Sequence, residues 1–276
     1  MQNAEKVQNC ARVLQSKLPG GFKPEVGLIL GTGLGGVVEA VDDRLYIPYD
    51  ELPDFPVSGA PSHQGCFVAG RMSGVPVLVQ QGRCHLYEGR SPAEVAAGVR
   101  VTALCGAGSL IAANAAGALN PLFESGTLML IDDHINCTGA SPLTGPDDGG
   151  PRFPDMSRAY DPEYIRLAED TALRSALRLE KGVYVGVAGP QLETRAETRC
   201  YRMMGGDAIG MSTVIEVIAA VHAGLRVLGF SCLTNRNLPD CMVPVAVEDI
   251  IAVAETVGAD LTTLLRALLP RLVALR

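Results

Sequence analysis

Groups that could bind an anion follow several apolar segments of this sequence. The stretch "LILGTGLGG" (28–36) ends an apolar run in a glycine-rich turn that contains the hydroxyl of Thr32. Arg83 and His85 follow the apolar segment "VPVLVQ" and, being two residues apart in extended backbone, face one side of it. Two further donors occur in the same context: the backbone N–H of Ala115 and the hydroxyl of Ser212. Together these groups are suited to an oxyanion such as phosphate.

The glycine-rich turn has more than one interpretation. Gly31, Gly33 and Gly36 satisfy the G-x-G-x-x-G spacing of a dinucleotide-dependent oxidoreductase, which also needs a second strand with an acidic residue about twenty residues later. That region, "RLYIPYDELPDFPVSG", contains three prolines and no strongly apolar strand, so NAD is disfavoured. Two interpretations remain open: a phosphate cradle at a helix start, and a tight turn that needs glycine for its backbone angles.

Two other polar residues are placed to contact a heterocycle. Glu193 lies at a predicted helix start in "AGPQLETRAE", and Asn235 ends the strand "RVLGFSCLTN". A carboxylate and an amide can bond a ring edge that carries both donors and acceptors. Their ordinary roles would be stabilisation of a helix N-terminus for Glu193 and an Asx turn for Asn235.

The elements that must position these groups alternate between strands and helices. This alternation predicts an α/β fold, a twisted mixed β-sheet flanked by helices, in one domain over residues 1–276. Ligands of such sheets bind at the carboxyl ends of the strands, where the residues above lie. We expect the Gly-, Pro- and Asp-rich stretch 138–160 to form a long functional loop. We also expect Pro270 to end or kink a last helix that begins at Val247.

Composition excludes several function classes. The chain has 276 residues, 47% hydrophobic and 19% charged, which is enough for a full core. A net charge of -7 and scattered basic residues argue against a nucleic-acid partner. None of the eight cysteines forms a C-x-x-C pair, so we expect reduced thiols in a cytoplasmic protein without a metal site. No apolar run reaches membrane-spanning length, so we expect no membrane partner.

Eight motifs occur in order: "LGTGLGG", "SHQG", "GRCHLYEG", "NAAGALNP", "DHIN", "GPQLETRAE", "GMSTVIEV" and "LTN". The set resembles the trimeric purine nucleoside phosphorylases from near residue 5 to the C-terminal helix. The resemblance implies a nucleoside phosphorylase fold, a homotrimer, and neither metal nor organic cofactor. It implies a pentosyltransferase in which inorganic phosphate, as co-substrate, attacks C1′ of a purine nucleoside and releases the base and ribose 1-phosphate.

The resemblance also implies roles for individual residues. The phosphate site would comprise Thr32, His63, Arg83, His85, the Ala115 N–H and Ser212, with His63 on a loop that is mobile in that family. Tyr87 and Met211 would contact the ribose, and Phe153 would complete the neighbouring subunit's ribose site. Glu193 would accept N1–H of a 6-oxopurine and Asn235 would contact O6 and N7, so the expected catalytic residues are Asn235, Glu193 and His85. A complete phosphate site argues against a non-catalytic nucleoside-binding protein.

The sequence departs from the family pattern at two positions. Many members carry a His that bonds the ribose 5′-hydroxyl where Val247 stands here, and Leu192 replaces an aromatic residue often found before the Glu. Valine resembles the apolar 5′ pocket of methylthioadenosine phosphorylases, although Asn235 is retained where those enzymes usually have Asp. We therefore predict inosine, guanosine and their deoxy forms as substrates, with methylthioinosine or methylthioadenosine as the alternative. Water or another side chain could equally replace the lost hydroxyl contact.

Overall fold

The structure is a computed structural model that describes residues 2–59, 64–146 and 150–275. Within these residues the strands are β1 Val26–Leu30, β2 Asp42–Pro48, β3 Cys66–Met72, β4 Val75–Gln81, β5 Ser109–Ala118, β6 Thr127–Asn136, β7 Leu179–Gly186, β8 Ala208–Gly210 and β9 Arg226–Arg236. The α-helices are α1 Gln2–Lys17, α2 Pro92–Val95, α3 Ala97–Leu104, α4 Pro162–Arg174, α5 Arg195–Met203, α6 Val214–His222 and α7 Val247–Val273.

The nine described strands form one mixed sheet in the order β2-β3-β4-β1-β5-β8-β7-β6-β9. Strands β4, β1, β5 and β9 run parallel, whereas β2–β3, β3–β4, β5–β8 and β6–β9 are antiparallel pairs. Because β9 also pairs with β5, the second half of the sheet closes on itself through β8, β7 and β6. The predicted fold class, a mixed sheet flanked by helices, is confirmed, and the closure adds a small barrel to it.

Helices cover both faces of the sheet, which explains why β1 is apolar at every position. Leu28 and Leu30 pack into the cluster that contains α4 and the leucines of α7, and Ile29 packs into the cluster that contains α3 and α6. All five β1 residues are buried. Burial of one such aliphatic side chain contributes about 1.5–3 kcal/mol to folding stability. The buried side chains of β1 therefore fix in place the strand end at which the site lies.

The structure bears on two expectations about prolines. The region without a strongly apolar strand overlaps β2, which ends at Pro48 and has one buried residue, Ile47; β2 is an edge strand, where proline is tolerated. Because β2 pairs antiparallel with β3, it is not the parallel second strand that a dinucleotide fold requires. Pro270 does not end α7, which continues to Val273. Arg271 donates to Thr171 of α4 at 2.6 Å and holds this last turn against that helix.

The glycine-rich turn leads into a short 3₁₀ helix, Gly35–Ala40, rather than into an α-helix. Paired glycines followed by two valines disfavour a regular α-helix, and the buried Val37 and Val38 pin the segment into the core instead. A phosphate at this turn would therefore meet individual donors rather than the end of an α-helix. Among the described residues, no helix has the length and apolar character needed to cross a bilayer.

Candidate active site

A cavity of about 340 Å³ opens where the carboxyl ends of β1, β4, β5 and β9 meet the start of α7. Its walls bring together most of the predicted site residues: Thr32, Arg83, His85, Tyr87, Ala115, Leu192, Glu193, Met211, Ser212, Asn235 and Val247. Its remaining lining residues are Gly31, Asn114, Ala116, Gly117, Pro190, Ile209, Gly210, Thr234, Asn237 and Ile250. Residues from seven segments of the chain thus converge on one cavity of a size suited to a small organic ligand.

Two predicted residues are not among those that line the cavity. Phe153 does not line this cavity; it projects from the long loop after β6 with 90% of its surface exposed. In the single chain this aromatic ring therefore lies almost entirely in solvent. His63 lies outside the described residues.

Both interpretations of the glycine-rich turn have a physical basis in the structure. A Cβ at Gly31 would lie 3.2 Å from the Arg83 guanidinium, so glycine lets that charge approach the turn. Gly33 has a φ of +74°, and a Cβ there would lie 2.6 Å from Ala254 of α7. The turn therefore serves close packing as well as the site, with Thr32 between the two glycines on the cavity wall.

Arg83 is held by a buried ion pair. Its side chain is 1% exposed, and its Nη1 lies 2.8 Å from Oε2 of Glu216, which is 0% exposed. Arg83 also donates to the Thr213 hydroxyl at 3.3 Å and to the Ala113 carbonyl. Glu216 was not singled out by the sequence, where it reads as an ordinary acidic residue in the first turn of α6. Glu216 therefore fixes the position of the guanidinium that the sequence predicts to bind an anion.

Thr213 connects this ion pair to the neighbouring strand. Its backbone N–H donates to Glu216 Oε2 at 2.8 Å, and its hydroxyl accepts from the Asn114 amide at 2.8 Å. Its φ of 70° lies in the left-handed region, which is unfavourable for a β-branched residue by about 1–3 kcal/mol. The surrounding hydrogen bonds maintain this conformation. It sets the direction of Ser212, the adjacent cavity residue.

His85 is oriented by Glu88 and by an aromatic ring. Its Nδ1 lies 3.1 Å from Glu88 Oε1, and its ring stacks on Tyr87 with centroids 4.7 Å apart. Burial alone would raise the pKa of Glu88, but the backbone N–H groups of Gly59 and His85, with the His85 side chain, hold it below its usual value. An ionised Glu88 places the imidazole proton on Nδ1. Burial raises the pKa of Tyr87 to about 12, so its hydroxyl stays protonated.

Glu193 is a partly buried carboxylate with an amide partner. Thr194 caps α5, so Glu193 immediately precedes the capping residue. Burial raises the pKa of Glu193, and a hydrogen bond from Asn237 Nδ2 to its Oε2, at 2.6 Å, opposes that rise. Asn237 was missed by sequence reasoning. The available signal was a second asparagine two residues after Asn235, in "NRN".

Asn235 has its amide oriented by the preceding residue. The Thr234 hydroxyl donates to Asn235 Oδ1 at 3.1 Å, which leaves the NH₂ group as the donor toward a ligand. A Cβ on Gly117 of β5 would lie 3.3 Å from both the Asn235 Nδ2 and the Asn237 Cβ. The small residues of "NAAG" therefore make room for these two amides as well as exposing backbone donors.

The rim of the cavity is apolar. Leu192 and Val247 are each 52% exposed, and Ile250 lies one turn beyond Val247 on α7. Met211 completes the apolar part of the wall, and a Cβ on Gly189 would lie 2.3 Å from its sulfur. The cavity therefore combines a polar interior with an apolar opening.

The chain has clear relatives among known protein families and individual proteins. The model of the family described as the phosphorylase superfamily matches residues 25–270. Purine nucleoside phosphorylase 1 of Geobacillus stearothermophilus is 46% identical over 96% of this chain and 97% of its own length. Purine nucleoside phosphorylase of Mus musculus is 46% identical over 79% of this chain and 78% of its own length.

Solved structures agree with the sequence relatives. The purine nucleoside phosphorylase of Schistosoma mansoni, crystallised with adenosine, superposes with a TM-score of 0.91 at 35% identity and covers 97% of both chains. Its complex with inosine superposes with a TM-score of 0.90 at 34% identity, covering 96% of this chain and 95% of the other. With the motifs in order and their residues gathered on one cavity, the chain belongs to the purine nucleoside phosphorylases of the phosphorylase superfamily, which are pentosyltransferases.

Proposed function

We propose that the enzyme cleaves 6-oxopurine ribonucleosides and deoxyribonucleosides, such as inosine and guanosine, with inorganic phosphate. The products are the free base and (deoxy)ribose 1-phosphate. The observation that carries this proposal is the presence, on one cavity, of an acceptor and a donor for the purine beside a set of anion donors, of which Arg83 and His85 are buried. No metal or organic cofactor takes part in the proposed reaction, and phosphate is the co-substrate.

The hydrogen-bonding pattern of Glu193, an acceptor, and Asn235, a donor, favours a 6-oxopurine. An ionised Glu193 accepts the N1–H of hypoxanthine or guanine, and the Asn235 NH₂ donates to O6 and N7, which are both acceptors. Adenine reverses two of these groups, because its N1 is an acceptor and its 6-amino group is a donor. A buried mismatch of this kind costs about 1–3 kcal/mol for each unpaired group.

The same groups would assist bond cleavage. The glycosidic bond breaks through an oxocarbenium-like state, and negative charge collects on the departing purine. Asn235 can strengthen its bond to N7 as that charge develops, which stabilises the transition state more than the substrate. A donor used in this way contributes about 3–4 kcal/mol.

The phosphate would lie against Arg83, His85, Thr32, Ser212 and the Ala115 N–H. Its charge stabilises the cationic sugar, and its fixed position favours in-line attack on C1′. The Arg83–Glu216 pair and the His85–Glu88 contact hold two of these donors in place before phosphate arrives. His63, outside the described residues, is proposed as an additional phosphate contact.

A second candidate substrate class is favoured by the start of α7. Val247 and Ile250 give the cavity an apolar edge at the position proposed to face the ribose 5′ group. Such an edge suits a 5′-methylthio group, as in methylthioinosine or methylthioadenosine, better than a hydroxyl, because apolar surface gains from apolar contact. We keep 6-oxopurine nucleosides as the main proposal because Asn235 supplies a donor where a 6-amino group would need an acceptor.

We also propose that the active form is a homotrimer in the cytoplasm. The support is the exposure of Phe153, which would be covered if it entered the ribose site of a neighbouring subunit. Sedimentation velocity on the purified protein tests the trimer, and a monomer that cleaves inosine at full rate would contradict it.

The test of the main proposal is phosphate-dependent release of base from inosine, adenosine, methylthioinosine and methylthioadenosine, measured side by side. We expect kcat/KM for inosine to exceed that for adenosine by about 100-fold or more. The same reaction without phosphate is the control. Faster cleavage of both methylthio compounds than of inosine would indicate that 5′-thio nucleosides are the substrates. No base release from any of the four nucleosides would contradict the proposal.

A further inference from the structure

We propose that Asn237 is a positioning residue that sets base specificity by keeping Glu193 an oriented, ionised acceptor. The inference rests on the proposed function, in which Glu193 contacts the purine ring. It concerns a residue outside the motifs that carried the family resemblance. The predicted consequence is that a single change at position 237 alters the choice between 6-oxo- and 6-aminopurines.

The first support is the way Asn237 is fixed. Its backbone N–H donates to the Ala118 carbonyl at the end of β5, at 2.8 Å. Its Oδ1 accepts from the hydroxyl of Thr198 on α5, at 3.3 Å, and Thr198 is 0% exposed. Its Nδ2 donates to Glu193 Oε2 at 2.6 Å. A residue held at three points has little freedom, so the amide presents its donor to the carboxylate in a defined direction.

The second support is that packing alone does not hold Glu193. Its side chain borders the site cavity and a second cavity of about 360 Å³ on the side of Arg236 and Met242. Asn237 lines both cavities with it. A carboxylate between two cavities depends on its hydrogen bonds for orientation. Asn237 occupies one oxygen, which leaves the other for a ring N–H.

The third support is the protonation state that the bond selects. Burial raises the pKa of Glu193, and two hydrogen bonds oppose that rise: one from its own backbone N–H and one from the side-chain N–H of Asn237. The charged and titratable groups around this carboxylate are the exposed Arg195 and Glu197, the half-buried Tyr201, and the exposed Arg236 at the end of β9. Of these, Glu197 raises the pKa of Glu193. The amide of Asn237 is thus the side-chain donor that keeps the group an acceptor.

The decisive variant is Asn237→Asp. It replaces a donor by a second carboxyl beside Glu193, and two close carboxyls share a proton at neutral pH. A protonated Glu193 has lost its negative charge, so it accepts N1–H of hypoxanthine more weakly, and its own O–H can donate to N1 of adenine. Asn237→Leu removes the donor without adding charge. Asn120→Asp is the matched control, because Asn120 also donates to a carboxylate, that of Asp207, at 2.8 Å, and neither residue lines the site cavity.

The experiment measures kcat and KM for inosine and adenosine from pH 5 to 9 in the full-length protein. For Asn237→Asp we expect a loss of about 100-fold in kcat/KM for inosine at pH 7, mainly through KM, and a rise of at least about 10-fold in the adenosine-to-inosine ratio. Since a raised pKa leaves Glu193 protonated to higher pH, the acid limb of the inosine profile should move to higher pH. Asn237→Leu should move that limb in the same direction and recover inosine activity toward pH 9. A purely structural defect would not recover with pH.

The outcomes separate this inference from the function on which it rests. If the native enzyme cleaves inosine and Asn237→Asp keeps its substrate ratio and acid limb, the inference is wrong and the function stands. A change in substrate ratio of the same size in Asn120→Asp would also overturn it. If the native enzyme releases no base from inosine, the function fails. Calorimetric binding of hypoxanthine and adenine then decides: a preference reversed by Asn237→Asp supports the inference, and an unchanged preference overturns it.

Discussion

Two corners of the same cavity hold charge in different ways. In the anion corner, Arg83 and Glu216 form an ion pair whose side chains are 1% and 0% exposed. In the base corner, Glu193 is half-buried and its partner is the neutral amide of Asn237. The first arrangement fixes a charge permanently, because breaking a buried pair leaves an uncompensated ion. The second leaves the carboxylate responsive to its donors, so specificity can change there without loss of the fold.

The difference agrees with what each corner is proposed to recognise. Phosphate is always an anion at neutral pH, so a fixed cation suits it. Purine rings differ in where they carry hydrogens, so the group that reads them must have a defined protonation state. A neutral amide can set that state at a smaller energetic cost than a second buried charge.

The largest expected effect comes from breaking the anion corner. Glu216→Ala leaves the Arg83 guanidinium buried without its carboxylate, and we expect a loss of about 3–5 kcal/mol in the free energy of unfolding. Urea unfolding followed by circular dichroism at fixed protein concentration measures it. Glu124→Ala is the control, because Glu124 pairs with Arg178 at 2.8 Å on the surface and should cost under about 1 kcal/mol. If the two variants lost equal amounts of unfolding free energy, the buried ion pair would contribute no more to stability than a surface pair. That result would contradict the difference drawn between the two corners.

The next effect is on catalysis without loss of stability. Asn235→Ala should lower kcat/KM for inosine by about 100- to 1,000-fold, or about 3–4 kcal/mol, because the donor to N7 is lost as charge develops there. Steady-state kinetics with inosine and saturating phosphate measure it. Asn120→Ala, which removes a comparable amide outside the cavity, should leave kcat/KM within about threefold. A decrease below tenfold in Asn235→Ala would argue against a transition-state role.

The smallest effect is expected at the rim. Val247→His introduces a donor beside the proposed 5′ position, and we expect it to raise the preference for inosine over 5′-deoxyinosine by about 5- to 10-fold, near 1 kcal/mol. Competition between the two nucleosides measures the ratio. Val243→His is the control, since Val243 is 66% exposed and does not line the site cavity. An inosine preference already strong in the native enzyme would contradict an apolar 5′ pocket.

Much of the fold could be predicted because its signals are local. β1 ends where an apolar run meets the first glycine of the glycine-rich turn. α2 and α4 each begin at a proline that follows a capping residue, Ser91 and Asp161, and both are short sequence signals. β2 was missed because its apolar and polar residues alternate only weakly and because prolines in this region are typical of loops. Its pairing with β3 makes it a strand. The closure of β9 on β5 has no local signature, because it depends on pairing between distant segments.

The cavity residues were predictable for a related reason. In a sheet with many parallel strands, the residues after each strand converge on one edge, so a list of polar strand ends is also a list of cavity walls. That rule found Thr32, Arg83, Ser212, Glu193 and Asn235. It did not find Glu216 or Thr198, which lie on helices and reach the site from behind.

By itself the sequence determined the α/β alternation, the family, and which side chains meet at the strand ends, because each of these depends on short motifs and on where apolar runs stop. Only the tertiary structure decided how those side chains are held. Arg83 meets Glu216 across 133 positions, and Asn237 meets Glu193 across 44. The charge and direction of a binding group depend on such partners, because burial and hydrogen bonding together set its pKa. Those partners come together only through tertiary packing, so no single segment of the sequence identifies them.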